Sequence, residues 1–392
     1  MNAEKYDVII VGAGPGGSAA AAALARRGCR VLLLDKAGFP RDKTCGDALT
    51  PRAVAALGRL GLAEMLAGVP RLGQAMVVAP DGAAGTADLR AGPGLPDYVQ
   101  IVPRLALDDA LRQQALAAGA EWASPVHVTR LARQDGGVEV SGEQGGRAVS
   151  FRARAAIVAT GASPALLEQM GLLRRPPRVG LAVRGYFEGL VGLAADQIQF
   201  RFDGVPMPGY AWIFPTSAST ANIGLGLFAA PGGRAPQSAR AAFERWRQWP
   251  AVRQALGAAR LAGSLKGFPI RSDFLASPNA AERVLVVGEA AGLVNPLTGD
   301  GIDFALESGL LAAEHLARQL AAGDLSAVAL AGYGRALRRR YTSVFIFSLG
   351  VRRMALGHPR LLNRLVRGMP GHPRLVRALI RMLLGLPNGH QR

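Results

Sequence analysis

Apolar positions are grouped in three distinct ways along the chain. Tyr6 to Val11 is an apolar run broken only by Asp7 and ending in glycines, the pattern of a strand buried on both faces. Ser18 to Arg27 is rich in alanine and predicts a helix, and Cys29 to Asp35 reads as a second buried strand. Residues 53–66 and Leu105 to Ala118 carry helical spacing, and residues 76–100 are rich in Gly and Pro with short strand-like runs. Val126 to Leu131, Val138 to Val140 and Ala156 to Ala159 predict strands. Val179 to Phe187, Gln197 to Phe202, Tyr210 to Pro215 and Asn222 to Phe228 alternate or are rich in aromatics, which predicts an antiparallel sheet. Arg283 to Val287 is a further buried strand, followed by a Gly/Pro loop and an Ala/Leu helix to about Ala321. The expected fold class is α/β: a Rossmann-like domain interwoven with an antiparallel β-sheet domain, plus a C-terminal helical segment.

A weak repeat closes the chain. His358 to Gly371 and His372 to Gly385 each begin His-Pro-Arg-Leu and place Leu or Val at helical spacing with Arg between, as basic amphipathic helices do. This repeat changes the reading of the charge. The 392 residues hold 46 Lys+Arg against 28 Asp+Glu, a net charge of +18. No acidic residue follows Asp324, whereas arginines recur from Arg335 to Arg392, so the basicity is largely local. The segment lacks a nucleic-acid-binding motif, and its aromatics cluster at its start, so nucleic acid is not expected as a partner. An anionic membrane surface is the partner that the basic amphipathic pattern suits, beside the plainer reading of a solvated arginine-rich face. The apolar stretch Val344 to Val351 is too short to span a bilayer. The two cysteines, Cys29 and Cys45, make neither a disulfide framework nor a zinc cluster, which fits a reducing cytoplasm. The five histidines show no metal spacing, and no metal site is expected.

Gly12, Gly14 and Gly17 form G-x-G-x-x-G between a strand and a helix. The first allows a tight turn, the second lets the backbone approach a pyrophosphate, and the third permits close helix–strand packing. The helix N-terminus offers unpaired N–H groups to phosphates. Asp35 ends the next strand, where a carboxylate accepts hydrogen bonds from ribose hydroxyls. Strand, glycine turn, helix, strand and acid together specify dinucleotide binding.

Gly288-Glu289, Pro296 and Gly299-Asp300-Gly301-Ile302 resemble the second flavin motif of the FAD monooxygenase and reductase superfamily, which includes para-hydroxybenzoate hydroxylase-like proteins. The resemblance implies that Glu289, where the superfamily usually has Asp, meets the ribityl chain, and that Pro296, Gly299, Gly301 and Ile302 face the flavin. It also implies that Arg104 reaches the FAD phosphates and that Val128 makes a backbone contact to adenine. Phe39 to Pro51, containing F-P-R-x-K-x-C-G, resembles the corresponding segment of the geranylgeranyl reductase family, in which Cys45 and Gly46 would lie beside the isoalloxazine. Gly209 to Pro215 (GYAWIFP) and Ala221 to Leu227 (ANIGLGL) resemble that family's Y-x-W-x-F-P strand and trailing G-x-G. Residues 1–75, 100–178 and 280–334 are then expected to form the FAD-binding domain, 76–99 and 179–279 the substrate-binding sheet, and 335–392 the basic helical segment.

The family implies FAD and a reaction in which hydride from reduced flavin and a proton add across a C=C bond of a prenyl or other apolar substrate. Tyr186, Tyr210, Trp212 and Phe214 are candidates to line the substrate pocket, with Tyr210, Trp212 and Cys45 also candidates for the chemistry. Two departures leave the electron donor open between NAD(P)H and a donor protein. Ala156 to Ser163 lacks the acid of the family's Gly-Ala-Asp-Gly, and Thr216-Ser217 replaces its Lys-Gly. The alternative reading is a flavin monooxygenase acting on an aromatic or polyketide-like metabolite. A flavin halogenase is disfavoured because Tyr210 replaces that family's first Trp and the only lysines are Lys5, Lys36, Lys43 and Lys266. A flavin-binding module without chemistry is the remaining class.

Overall fold

The computed structural model describes residues 6–173, 175–177, 179–194, 196–228, 238–372, 374 and 376. Two large sheets organise them. The first runs Ala280–Ala281, Val284–Val286, Arg147–Val158, Tyr6–Val11, Val31–Leu34 and Glu121–Ala123 in spatial order, with the hairpin His127–Gln134 and Gly137–Gln144 attached. Its four central pairings are parallel. The long strand Arg147–Val158 serves two purposes: its first half pairs antiparallel with the hairpin, and its second half enters the parallel sheet. Tyr6–Val11 is covered on both faces, as its unbroken apolar run requires.

The first helix begins at Pro15, earlier than the alanine run suggests. Pro suits the opening position because its missing N–H is one that the helix leaves unpaired anyway. This helix, Pro15–Ala25, crosses the helix Ile302–Ala322 with glycine against glycine: a Cβ on Gly309 would lie 2.3 Å from the Gly16 carbonyl oxygen. The two glycine motifs, distant in sequence, are thereby locked together.

The second sheet is ordered Arg260–Arg271, Val179–Glu188, Thr220–Leu227, Gly209–Pro215, Gln197–Arg201, Gln74–Val78 and Ala84–Asp88. The four strands expected from alternation are present. Arg260–Arg271 was not expected as a strand, because glycines, charges and Pro269 obscure its pattern; it lies at the sheet edge, where a proline is tolerated. Alternation decides what each face does. Tyr210, Trp212 and Phe214 point into one apolar cluster, while Ala211 and Ile213 point into another, under the helices Ala239–Arg247 and Pro250–Leu256.

The C-terminal part begins with the helix Ala327–Val351, which passes residue 335 unbroken, and continues through Arg352–Leu356 to the helix Pro359–Gly368. Leu362 and Val366 bury against the aromatic face of the second sheet. Met369 abuts Gly85 so closely that a Cβ there would sit 2.9 Å from its sulfur. Arg367 pairs with Asp81 at 2.8 Å. The first of the two repeat units is therefore a docked helix. The second, 372–385, lies almost wholly outside the described residues. Among the described residues no helix is long and apolar enough to cross a membrane.

Candidate active site

A cavity of about 1250 Å³ runs from the N-terminal glycine turn, between the two sheets, to the C-terminal helices. Its first end is made largely of backbone. Gly12, Gly14, Pro15 and Gly16 line it, followed by Asp35, Arg41, Arg104 and Val128. Gly12 has φ +106°, and a Cβ there would meet the Ala159 carbonyl oxygen at 2.3 Å. A Cβ on Gly17 would fall 1.8 Å from the Gly12 carbonyl oxygen, so Gly17 serves helix–strand packing and does not reach the cavity wall. Gly14 differs: an added Cβ meets only Arg41 Nη2, at an ordinary 3.7 Å. What a side chain at Gly14 would obstruct is the cavity itself.

Asp35 accepts hydrogen bonds from the Ala13 and Ala37 N–H groups at 2.8 and 2.9 Å. Arg104 opens its helix, where its Nε and Nη2 bind the Asp108 carboxylate at 2.6 and 2.7 Å. Arg41 reaches the same carboxylate at 2.9 Å and lies 3.7 Å from that of Asp35, which links this arginine pair to the glycine-turn end.

In the middle of the cavity two loops meet. Lys43, Cys45, Gly46 and Asp47 come from one; Glu289, Gly299, Asp300, Gly301 and Ile302 come from the other. Glu289 follows the strand Val284–Val286; its carboxylate accepts from Lys43 Nζ at 2.9 Å and from the Arg271 N–H at 3.1 Å. Burial pushes the Cys45 thiol pKa above its ordinary value. Burial and the neighbouring Asp303 carboxylate raise that of Asp300. Pro296 lies behind the loop and off the cavity wall; its carbonyl accepts from Arg352 Nη1 at 3.1 Å, tying the loop to the C-terminal part.

The far end is apolar. Tyr210, Trp212 and Phe214 stand side by side on the wall, with Ala75, Val77, Ile198, Phe200 and Phe228 around them. The Tyr210 hydroxyl donates to the Thr298 carbonyl, so this aromatic bridges the second sheet and the Gly299 loop. Trp212 packs over Gly224, where a Cβ would lie 2.1 Å from its ring, and donates from Nε1 to Asn222 Oδ1 at 2.9 Å. The trailing G-x-G thus makes room for the indole. The C-terminal helices complete the wall with Val351, Leu362, Val366 and Met369.

Tyr186 departs from expectation. It lies on the cavity-facing side of its strand, but its hydroxyl donates to Asp47 Oδ2 at 2.5 Å and the ring is not on the cavity wall. The residues that sequence reasoning passed over are Arg41, Lys43, Asp47 and Asn222. The first three were visible inside the Phe39 to Pro51 segment, and Asn222 inside ANIGLGL, but only the fold shows that they converge.

The chain's residues fit FAD. Space is open at Gly14, the N-terminus of Pro15–Ala25 faces it, a carboxylate stands at Asp35, and a second helix start at Ile302 faces the middle of the cavity.

Comparison with known proteins agrees. Residues 5–344 match the FAD binding domain family. A menaquinone reductase of Mycobacterium tuberculosis is 37% identical over 337 residues, covering 80% of this chain and 77% of the relative. A digeranylgeranylglycerophospholipid reductase of Methanopyrus kandleri is 30% identical over 354 residues, covering 88% and 85%. A solved geranylgeranyl bacteriochlorophyll reductase-like protein from Thermoplasma acidophilum superposes with a TM-score of 0.80 at 20% identity, covering 97% of this chain and 99% of that one. A flavin-dependent brominase superposes with a TM-score of 0.77 at 20% identity, covering 97% and 93%. At such identities the structural likeness speaks for the fold alone. The family match over most of the chain and the two reductase relatives place the protein in the geranylgeranyl reductase family of FAD-dependent oxidoreductases.

Proposed function

We propose that the protein reduces C=C bonds in the isoprenoid chain of a membrane lipid or quinone. The observation that carries this reading is the apolar arm of the cavity, which extends from Cys45 and Gly46 to the C-terminal helices and is walled by aromatic and aliphatic side chains. Such a tunnel suits a long, flexible hydrocarbon without hydrogen-bonding groups. Menaquinone and digeranylgeranylglycerophospholipid, named in the two reductase relatives, both carry isoprenoid chains.

FAD, when bound, supplies the hydride for such a reduction. The chain's residues do the rest. Gly12 and Gly14 admit the pyrophosphate, and Asp35 takes the ribose. Glu289, released from Lys43, is placed for the ribityl hydroxyls. Tyr210 and Trp212 fix the far wall of the middle chamber, and Leu362 and Val366 help to close the arm against water.

The same arm argues for docking on an anionic membrane surface. Met354, Leu361 and Leu365 line the cavity yet are exposed to solvent at 57%, 38% and 43%. Exposed Arg353, Arg360 and Arg364 each directly precede one of them in the chain and join no carboxylate among the described residues. A cavity mouth rimmed by apolar side chains and arginines suits a substrate whose chain lies in a bilayer.

The test is anaerobic. Holoenzyme reduced with dithionite is mixed with menaquinone or with geranylgeraniol in detergent, and the product is examined by mass spectrometry. A gain of two hydrogens per reduced bond supports the reading. No reduction of either probe, or an oxygen-dependent product that has gained an oxygen atom, overturns it.

A further inference from the structure

Asp47 is the least expected group in the middle chamber. Its side chain is fully buried on the cavity wall, and its backbone sits at φ +63°, held by the Val102 N–H donating to its carbonyl at 2.9 Å. One carboxyl oxygen, Oδ2, accepts from Tyr186 Oη at 2.5 Å and from Asn222 Nδ2 at 2.8 Å. The other, Oδ1, is buried without a hydrogen-bond partner. A carboxyl with one oxygen doubly solvated and the other bare is arranged to keep a proton on the bare oxygen, because an anion there would lack a donor. Tyr186 is half-buried and off the cavity wall, so it connects Asp47 to the outside of the chamber. Asn222 fixes the geometry: besides Asp47 it binds the Cys45 carbonyl at 2.8 Å and receives Trp212 Nε1.

We propose that Asp47 is the proton donor of the reduction and that Tyr186 reloads it. The inference rests on the C=C reduction proposed above. Hydride adds to one carbon of the double bond, and the π electron pair takes the Asp47 proton at the other carbon. Asp47 is left as a carboxylate. It recovers a proton at Oδ2 through the Tyr186 hydroxyl, which takes one from solvent as it passes its own on, so no tyrosinate forms, and a turn of the carboxyl returns that proton to the chamber.

The charged and titratable groups facing Asp47 are Arg184 and Arg104, with Tyr186 above and Cys45 on its own segment. Burial raises the Asp47 pKa to about 6, against the lowering effect of Tyr186, Asn222 and the two arginines. Because the protonated form is the donor, the rate is full below that value and falls as pH rises through it. Burial keeps the proton on the Cys45 thiol as well, against the lowering effect of Arg104, the Asp47 backbone and Lys43.

Two measurements on FAD-loaded enzyme test this. In infrared titration, the difference between wild type and Asp47→Asn should show a protonated carboxyl well above the ordinary carboxylate range. In single-turnover reduction of geranylgeraniol, the wild-type rate should fall about tenfold per pH unit above its midpoint, while Asp47→Asn should be slower by about 10²–10⁴ and independent of pH. Asn adopts positive φ readily, and retained FAD checks its fold. Should that variant lose FAD, Tyr186→Phe carries the test: its first turnover persists and repeated turnover slows. A carboxyl ionising in the ordinary range overturns the proposal. So does an Asp47→Asn enzyme within about threefold of wild type, or one slowed with the wild-type pH slope retained. If wild type leaves geranylgeraniol unreduced, the substrate reading fails at that point, and the infrared titration alone decides whether Asp47 holds a proton.

Discussion

The two ends of the cavity are built from different materials. The nucleotide end is made of backbone: glycines that lack a Cβ, helix N-termini, and one carboxylate held by two N–H groups. The apolar arm is made of side chains drawn from the second sheet and from the C-terminal helices. A backbone-built site tolerates almost no change at a few positions. A side-chain-built wall tolerates gradual change at many, since what it must keep is volume and apolarity. One end can stay constant for a fixed cofactor while the other is retuned to a chain of different length.

The sharpest test of this contrast lies within the glycine motif. Gly17→Ala forces a methyl group into the Gly12 carbonyl and should destabilise the fold by about 3 kcal/mol, read as a fall in Tm. Gly14→Val meets open space in the protein and should cost about 1 kcal/mol or less in the apo form, yet abolish FAD binding. Equal damage to both properties in both variants would erase the distinction between packing glycine and ligand glycine.

At the other end, Trp212→Ala should leave flavin content near wild type. Losing about 2 kcal/mol of apolar contact weakens apparent substrate affinity about thirtyfold. Loss of flavin instead would assign Trp212 to the cofactor end. The smallest effect concerns the mouth of the arm. Arg360→Glu and Arg364→Glu should each weaken binding to vesicles containing anionic phospholipid by at least about 1 kcal/mol, an effect that fades with added salt. Co-sedimentation with anionic and with neutral vesicles across a salt series checks it, and equal negligible binding to both lipids removes the membrane from the picture.

The contrast also explains what could be read from the chain alone. Gly12, Gly14, Gly17 and Asp35 announce themselves because backbone geometry demands particular residues at fixed spacing. Tyr210, Trp212 and Phe214 were legible as one face because strand alternation puts them there. Tyr186 obeyed the same parity, but its hydroxyl found the buried Asp47, a partner that no local pattern reveals. Asp47, Lys43 and Asn222 stayed hidden because their meaning comes from contacts across the fold, such as Lys43 with Glu289 and Asn222 with Asp47. The edge strand Arg260–Arg271 was missed for a related reason: an exposed edge imposes little on composition, so glycine, lysine and proline sit in it freely.

The glycine crossing of Gly16 with Gly309 has a consequence for how the protein is made. The helix Pro15–Ala25 leaves the ribosome long before the helix Ile302–Ala322, the surface it packs on. A nascent chain short of that point exposes the apolar flank of its first helix and has only half of a cofactor site. Synthesis takes tens of seconds at ordinary elongation speeds, a long interval for such a surface to remain uncovered. A product truncated before Gly299 lacks one wall of the cavity and should fail to retain flavin.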